Sequence, residues 1–136
     1  MEHALEELVW QRARGRCEYC QMPQARTSLK HQVDHIIAEK HHGMTRANNL
    51  ALACFACNNH KGPNIAGLDR QTRKTISLFN PRRNKWARHF RWSGAILVGR
   101  TAIGRATVDV LAINLPHRVA VRQALLDEGV SLDPQS

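Results

Sequence analysis

Two pairs of cysteines constrain the fold of this chain more than any other feature of its sequence. Each pair has the spacing C-x-x-C, and the pairs flank residues 21–53: Cys17 and Cys20, then Cys54 and Cys57. The opening residues MEHALEELVW carry acidic side chains where a secretory signal has a positive end, so we expect a cytoplasmic protein without disulfides. Two such turns supply the four sulfur ligands of a closed tetrahedral zinc site. The spacing therefore predicts one structural zinc ion.

The charge balance favours a polyanionic partner. The 136 residues include 20 Lys and Arg against 11 Asp and Glu, a formal net charge of +9. Ten of the basic residues lie between Asp69 and Asp109, a segment without any acidic residue. Excess positive charge neutralises phosphates and releases counterions, which favours a nucleic acid, although a basic segment also serves as a solvated face. A hydrophobic content of 43% without a long apolar run excludes a disordered chain and a membrane-spanning one.

Local patterns in the first half predict a helix, two short strands and a second helix around the cysteines. Apolar residues at helical spacing indicate a helix over residues 3–14. Short apolar runs indicate strands over residues 31–37 and 50–53, and residues 55–61 form the second predicted helix before Gly62-Pro63.

The second half predicts a hairpin and a long helix. Residues 67–73 are interpreted as a loop or a helical turn, and Val, Ile and Leu enrichment indicates strands over 94–99 and 106–113. A helix follows from Pro116 to about Glu128, with Asn114 as its predicted N-cap.

The residues between and just after the cysteine pairs carry the chemistry. Asp34 and His35 are neighbours on a predicted strand, where side chains alternate between faces, so we expect them to serve different tasks. Asn49 opens the next strand, and Asn58 and His60 lie on the short helix. A β-hairpin followed by a helix can bring these five polar groups to one groove.

This ordered set resembles the HNH endonuclease family. The family pattern is a C-x-x-C pair, a D-H dipeptide on a strand, an Asn at the next strand and C-x-x-C-N-x-x-K-G on a helix. The chain departs from it at Ala38, where a Pro is common, and at His42-Gly43 in place of two glycines. The resemblance implies an α+β fold with a ββα-metal core stapled by the four-cysteine zinc site, an N-terminal helix and a C-terminal β-hairpin plus helix. We expect one domain over residues 1–136, with the core in 1–66 and a basic extension in 67–136.

The resemblance also implies roles for the polar residues. His35 is the expected general base that activates water, and Asp34 is expected to hold a catalytic Mg²⁺ or Mn²⁺ with Asn58 or His60. Asn49 is expected either to orient the His35 ring or to brace the hairpin. Double-stranded DNA is the expected partner, and six basic residues are expected to contact its backbone: Lys61, Arg82, Arg83, Lys85, Arg88 and Arg91.

Two other functions stay open from the sequence. A non-catalytic zinc-stabilised module could bind nucleic acid through the basic segment, but it has no use for Asp34, His35 and Asn58 in this order. A nuclease that acts on RNA also fits the same residues. The intact D-H-N set favours the endonuclease.

Overall fold

The structure is a computed structural model that describes residues 1–134. Five helices and six strands follow one another along the chain: α1 (His3–Ala13), β1 (Gln32–His35), β2 (Leu50–Ala53), α2 (Phe55–Lys61), β3 (Ala66–Asp69), β4 (Lys74–Ser77), α3 (Trp86–His89), β5 (Phe90–Ser93), β6 (Ile96–Gly99), α4 (Ala102–Val110) and α5 (Pro116–Asp127). Three short 3-10 turns lie at Gln24–Arg26, Glu39–His41 and Ala47–Asn49. The strands pair in sequence order as three antiparallel hairpins. The sequence also predicts a polar tail over residues 130–136; the structure describes it as far as Pro134, and Gln135 and Ser136 lie outside the described residues.

The β1–β2 hairpin and α2 form the centre of the first half. Asp34 pairs with Ala51 and His35 with Leu50 across the hairpin. Every residue of β2 is buried, because its two faces contact different cores. Leu50 and Leu52 pack with Val9 of α1, whereas Ala51 and Ala53 face the main core with the four cysteines. The strand thus joins α1 to the cysteine cluster, and it confirms the prediction for residues 50–53.

The second half packs two hairpins against α4. Asp69 at the end of β3 is buried and forms a bidentate pair with Arg105 of α4, at 2.9 and 3.0 Å. On the other side Gly104 of α4 approaches α3 so closely that a Cβ there would lie 2.0 Å from the carbonyl oxygen of His89. Only glycine allows this approach. None of the helices in residues 1–134 has the length and apolar character needed to cross a membrane.

Two predictions for the second half need correction. Residues 67–69 lie in β3 instead of a loop or helical turn, whereas residues 70–73 form the turn between β3 and β4 as predicted. Asp69 organises that turn by accepting hydrogen bonds from the backbone and the hydroxyl of Thr72. Residues 106–113 lie largely in α4, so the β-hairpin is instead formed by β5 and β6. The hydroxyl of Thr101 caps that helix by accepting from Gly104 N at 3.1 Å.

Asn114 does not cap α5. The helix begins after Leu115 without a side-chain cap. The Asn114 amide instead accepts from Leu97 N at 3.0 Å and donates to Leu97 O at 2.8 Å, so it extends the edge of β6. Satisfying two backbone groups of a neighbouring strand competes with capping, and here the tertiary contact prevails.

Candidate active site

The four cysteines form one buried cluster, as predicted. Their Sγ atoms all lie within 4.8 Å of one another. In each C-x-x-C turn, called a knuckle below, a backbone amide donates to the first sulfur: Cys20 N to Cys17 Sγ at 3.5 Å, and Cys57 N to Cys54 Sγ at 3.4 Å. Four soft sulfur donors from two such turns suit a tetrahedral metal such as zinc and leave no open position for catalysis.

The electrostatics of the cluster favour a bound cation. Burial raises the pKa of the Cys17 thiol and of the Cys57 thiol. Hydrogen bonds from the other cysteines lower the pKa of the Cys20 thiol, but four thiolates this close together repel one another, so a metal ion is needed to hold all four deprotonated. Metal binding and folding of the two knuckles are therefore linked.

A separate groove of about 280 Å³ lies where β1 ends against α2. It brings together three of the predicted residues, Asp34, His35 and Asn58. Asp34 is buried and His35 is half-buried, as strand alternation predicts. Both nevertheless line the groove, because His35 is the last residue of its strand and the chain turns away after it.

Asp34 is held by two donors on the same carboxylate oxygen. The Tyr19 hydroxyl donates to Oδ2 at 3.3 Å, and the Lys61 ammonium lies 3.0 Å from the same atom. Within residues 1–134, Oδ1 accepts no hydrogen bond, so it is available to a ligand in the groove. Burial raises the pKa of Asp34, and the positive charge of Lys61 opposes that rise.

Asn58 offers a second oxygen. Its Nδ2 donates to Gln32 Oε1 at 2.6 Å, which orients the amide. The Asn58 side-chain oxygen accepts no hydrogen bond from the described part of the chain. Carboxylate and amide oxygens are the donors that Mg²⁺ and Mn²⁺ prefer, so Asp34 and Asn58 fit such an ion.

The His35 ring is fixed through one nitrogen. Its Nε2 lies 2.9 Å from the Thr45 hydroxyl and 3.8 Å from a carboxylate oxygen of Glu39. Its Nδ1 has no hydrogen-bond partner among residues 1–134. The ring therefore has one nitrogen engaged by the loop and one free.

The Asn49 side chain hydrogen-bonds to the loop after β1 and makes no hydrogen bond to the His35 ring. Its Oδ1 accepts from Ile37 N at 2.9 Å, and its Nδ2 donates to Ile37 O at 3.0 Å and to Met44 O at 2.9 Å. The same loop needs Gly43, because a Cβ there would lie 1.6 Å from the carbonyl oxygen of Ile37. Of the two expected roles for Asn49, these contacts favour bracing.

His60 lies away from the groove. It lines a different cavity with His117 and Arg118, on the far side of α2 from Asp34. Two positions along an α-helix are separated by about 200° of rotation, so Asn58 and His60 face opposite directions. The structure thus separates the two candidates for the second metal ligand and brings only Asn58 to Asp34.

Two of the six basic residues expected on DNA are engaged inside the protein. Lys61 is only 2% exposed and pairs with Asp34, so its ammonium cannot reach a phosphate, and the expectation for it is wrong. Arg82 is largely buried in an ion pair with Glu18. The other four are exposed: Arg83, Lys85, Arg88 and Arg91. Arg83 also lines a cavity with Ile36 and Ile37, which places it beside the groove.

Sequence reasoning missed several supporting residues. Tyr19 and Thr45 hold Asp34 and His35, yet neither belongs to a motif that marks it. Lys40 and Arg46 are exposed on the loop that borders the groove, and their position between the D-H dipeptide and Asn49 was the available signal. Buried Arg118 donates to Cys57 Sγ at 3.1 Å, a contact that no local pattern predicts.

Comparison with known families gives a match in the first half of the chain. The model of the HNH endonuclease family matches residues 17–64. This segment of the chain is similar to HNH endonuclease domains. The match runs from the first cysteine past α2 and includes Asp34, His35, Asn49 and Asn58. The resemblance seen in the sequence is confirmed for this segment, and the match does not extend to β3 or beyond. No curated protein and no solved structure matches the chain.

Proposed function

We propose that this protein is a metal-dependent endonuclease that hydrolyses phosphodiester bonds of DNA. The observation that carries the proposal is the groove, where a free carboxylate oxygen of Asp34, a free amide oxygen of Asn58 and the His35 ring converge inside the segment that matches the HNH endonuclease family. A module that only binds nucleic acid has no need for this convergence. Zinc at the four cysteines is the structural metal of the proposal, and Mg²⁺ or Mn²⁺ is the catalytic one.

His35 acts as the general base through Nδ1. Glu39 only accepts hydrogen bonds when ionised, so it favours a proton on Nε2, and the Thr45 hydroxyl, which can donate or accept, is compatible with that proton. That tautomer leaves the lone pair on Nδ1, the nitrogen without a protein partner. Removal of a proton from the attacking water by such a base is worth about 10²–10⁴ in rate.

Asp34 and Asn58 are the residues that would hold the divalent cation. When bound, the cation polarises the scissile phosphate and stabilises charge on the departing oxygen. Among residues 1–134, the four cysteines are the only group of three or more His, Cys, Asp and Glu side chains placed to hold a metal ion, so Asp34 belongs to no larger cluster of this kind. Two protein ligands suit Mg²⁺, which keeps several waters and takes further ligands from substrate phosphates.

Lys61 and Tyr19 are positioning residues in this mechanism. Lys61 holds the Asp34 carboxylate and also donates to the backbone carbonyl of His35 at 3.1 Å. One buried ammonium therefore links α2 to both catalytic residues of β1. DNA is held instead by exposed basic residues, among them Arg83, which lines a cavity next to the groove.

Plasmid cleavage with purified protein tests the proposal. We expect nicking or cutting that requires Mg²⁺ or Mn²⁺, and a loss of at least 10²-fold in rate for His35→Ala with DNA affinity retained. Asp34→Ala and Asn58→Ala are expected to recover part of their activity at high metal concentration, and His60→Ala is the matched control that keeps wild-type metal dependence. If wild type and His35→Ala cleave equally, the activity is not that of this groove and the binding module becomes the better interpretation.

A further inference from the structure

Two arginines of α5 lie in the protein interior without an acidic partner. Arg118 is 7% exposed and Arg122 is 1% exposed. Every ion pair in residues 1–134 involves other basic side chains, so neither guanidinium has a carboxylate within reach. Arg and other charged residues are almost never fully buried without a compensating charge, because desolvation of the ion is costly. The counter-charge for these arginines must come from another group.

The cysteine cluster is the group that Arg118 contacts. One guanidinium nitrogen donates to Cys57 Sγ at 3.1 Å and lies 3.9 Å from Cys54 Sγ. The other terminal nitrogen donates to the carbonyls of Leu111 and Ala112, at 2.7 and 3.0 Å. The side chain is thus fixed from both ends, with one face directed at the sulfurs.

Arg122 contacts backbone carbonyls and an aromatic ring. It donates to the carbonyls of Ala95 and Ile113, both at 2.9 Å, and its guanidinium lies 5.4 Å from the Trp92 ring centre. It makes no hydrogen bond to sulfur within the described part of the chain. Its charge is held by oxygens and an aromatic face, whereas that of Arg118 is directed to the cluster.

We infer that Arg118 is a charge-neutralising residue of the metal centre, which anchors α5 to the four thiolates. Zn²⁺ with four thiolates carries two net negative charges, and these buried charges match the two buried guanidinium groups. Hydrogen bonds from outside the ligand set orient metal-bound sulfur and lower its basicity. The inference rests on the proposed metal at the cysteines and is independent of the proposed nuclease activity.

This arrangement has a consequence for the architecture of the protein. The matched HNH segment ends at residue 64, and Arg118 lies far beyond it. The metal centre is therefore completed electrostatically by a helix of the C-terminal extension. Metal binding then organises both halves of the chain, because loss of the metal removes the counter-charge of a buried arginine as well as the knuckle ligands.

Zinc affinity measured by competition with a chromogenic chelator tests the inference. The variants are Arg118→Met, which keeps the length, Arg118→Gln, which keeps polarity without charge, and Arg118→Lys, which keeps the charge. Arg91→Met is the matched control, because Arg91 is exposed and lies far from both knuckles in the sequence. We expect one zinc per chain in wild type and control. The Met and Gln variants are expected to bind zinc about 10- to 100-fold more weakly, and the Lys variant much less so.

Alkylation of the zinc-loaded protein is the second readout. Removing a positive hydrogen-bond donor makes a thiolate more nucleophilic, so we expect Cys57 to react faster in Arg118→Gln than in wild type. If Arg118→Met fails to fold, the comparison of Gln with Lys decides. Equal zinc affinity and equal alkylation in wild type, Gln and Lys variants would overturn the inference while leaving the metal site intact. A wild-type protein that binds no zinc would overturn the metal site itself.

Discussion

Replacing Lys61 by Met removes the ammonium that pairs with the buried Asp34. Both side chains are less than a tenth exposed, and the ammonium nitrogen lies 3.0 Å from Asp34 Oδ2 and 3.1 Å from the His35 carbonyl oxygen. Methionine has nearly the same length and fills the same space. The substitution therefore tests the charge and the hydrogen bond with little change in packing.

The size of the destabilisation depends on whether Asp34 takes up a proton once Lys61 is replaced. Breaking a buried ion pair on one side costs about 3–5 kcal/mol, because an uncompensated charge stays behind. Asp34 escapes that cost by taking up a proton. From its ordinary pKa of 3.8, protonation at pH 7 costs at most about 4 kcal/mol, since each pH unit is worth about 1.4 kcal/mol. We expect Lys61→Met to lose about 3–4 kcal/mol of unfolding free energy at pH 7. At pH 5 we expect this loss to be smaller by about 2.7 kcal/mol, because the pH is two units lower.

Urea unfolding of the zinc-loaded protein, followed by tryptophan fluorescence, measures this loss at both pH values. Lys74→Met is the matched control, because Lys74 is exposed and is expected to change stability by less than about 0.5 kcal/mol. The double variant with Asp34→Asn is expected to recover much of the loss, because it removes the stranded charge. A loss below about 1 kcal/mol at pH 7, or the same loss at pH 5, would refute the assignment of Lys61 as the partner of Asp34.

Three further expectations concern the base, the DNA surface and the second half of the fold. Thr45→Val removes the hydrogen-bond partner of His35 Nε2 and is expected to lower kcat about fivefold, which corresponds to the loss of one hydrogen bond, with KM unchanged. Thr45→Ser is expected to restore kcat, and an unchanged kcat and pH profile in Thr45→Val would remove Thr45 from the mechanism. Arg83→Ala is expected to lower the salt slope of DNA binding by about one unit, which filter binding at several salt concentrations measures; a slope equal to that of wild type would contradict a phosphate contact. Arg82→Ala breaks the pair with Glu18 and is expected to lower the melting temperature instead. Hydrogen bonds from Arg105 lower the pKa of Asp69, so the ionised Asp69 stabilises the fold above the ordinary pKa of 3.8, and this stabilisation is lost as the pH falls below that value. We expect Asp69→Asn to have a lower free energy of unfolding at pH 7, and this free energy to change less with pH in the acid range than that of wild type. Identical acid titrations of the two proteins would contradict this.

Short-range pattern in the amino-acid sequence was enough to predict the centre of the first half. The cysteine spacing, the strand Leu50–Ala53 and the helix Phe55–Lys61 were predicted with the bounds that the structure shows. Each of these features follows from the order of residues within one turn or one strand. The D-H-N set and the family match lie in the same short segment, so the candidate groove could be located before its geometry was known.

Contacts between distant parts of the chain determine how the polar and charged side chains are used. Val, Ile and Leu over residues 106–113 fit a strand or a helix equally well, and packing between two hairpins selected the helix. Lys61 and Arg118 have the composition of surface residues, but partners 27 and 61 positions away, at Asp34 and Cys57, hold them inside. Whether a charge meets solvent, DNA or a buried counter-charge depends on neighbours distant in the chain, because the free energy of a charge is set by its surroundings in space.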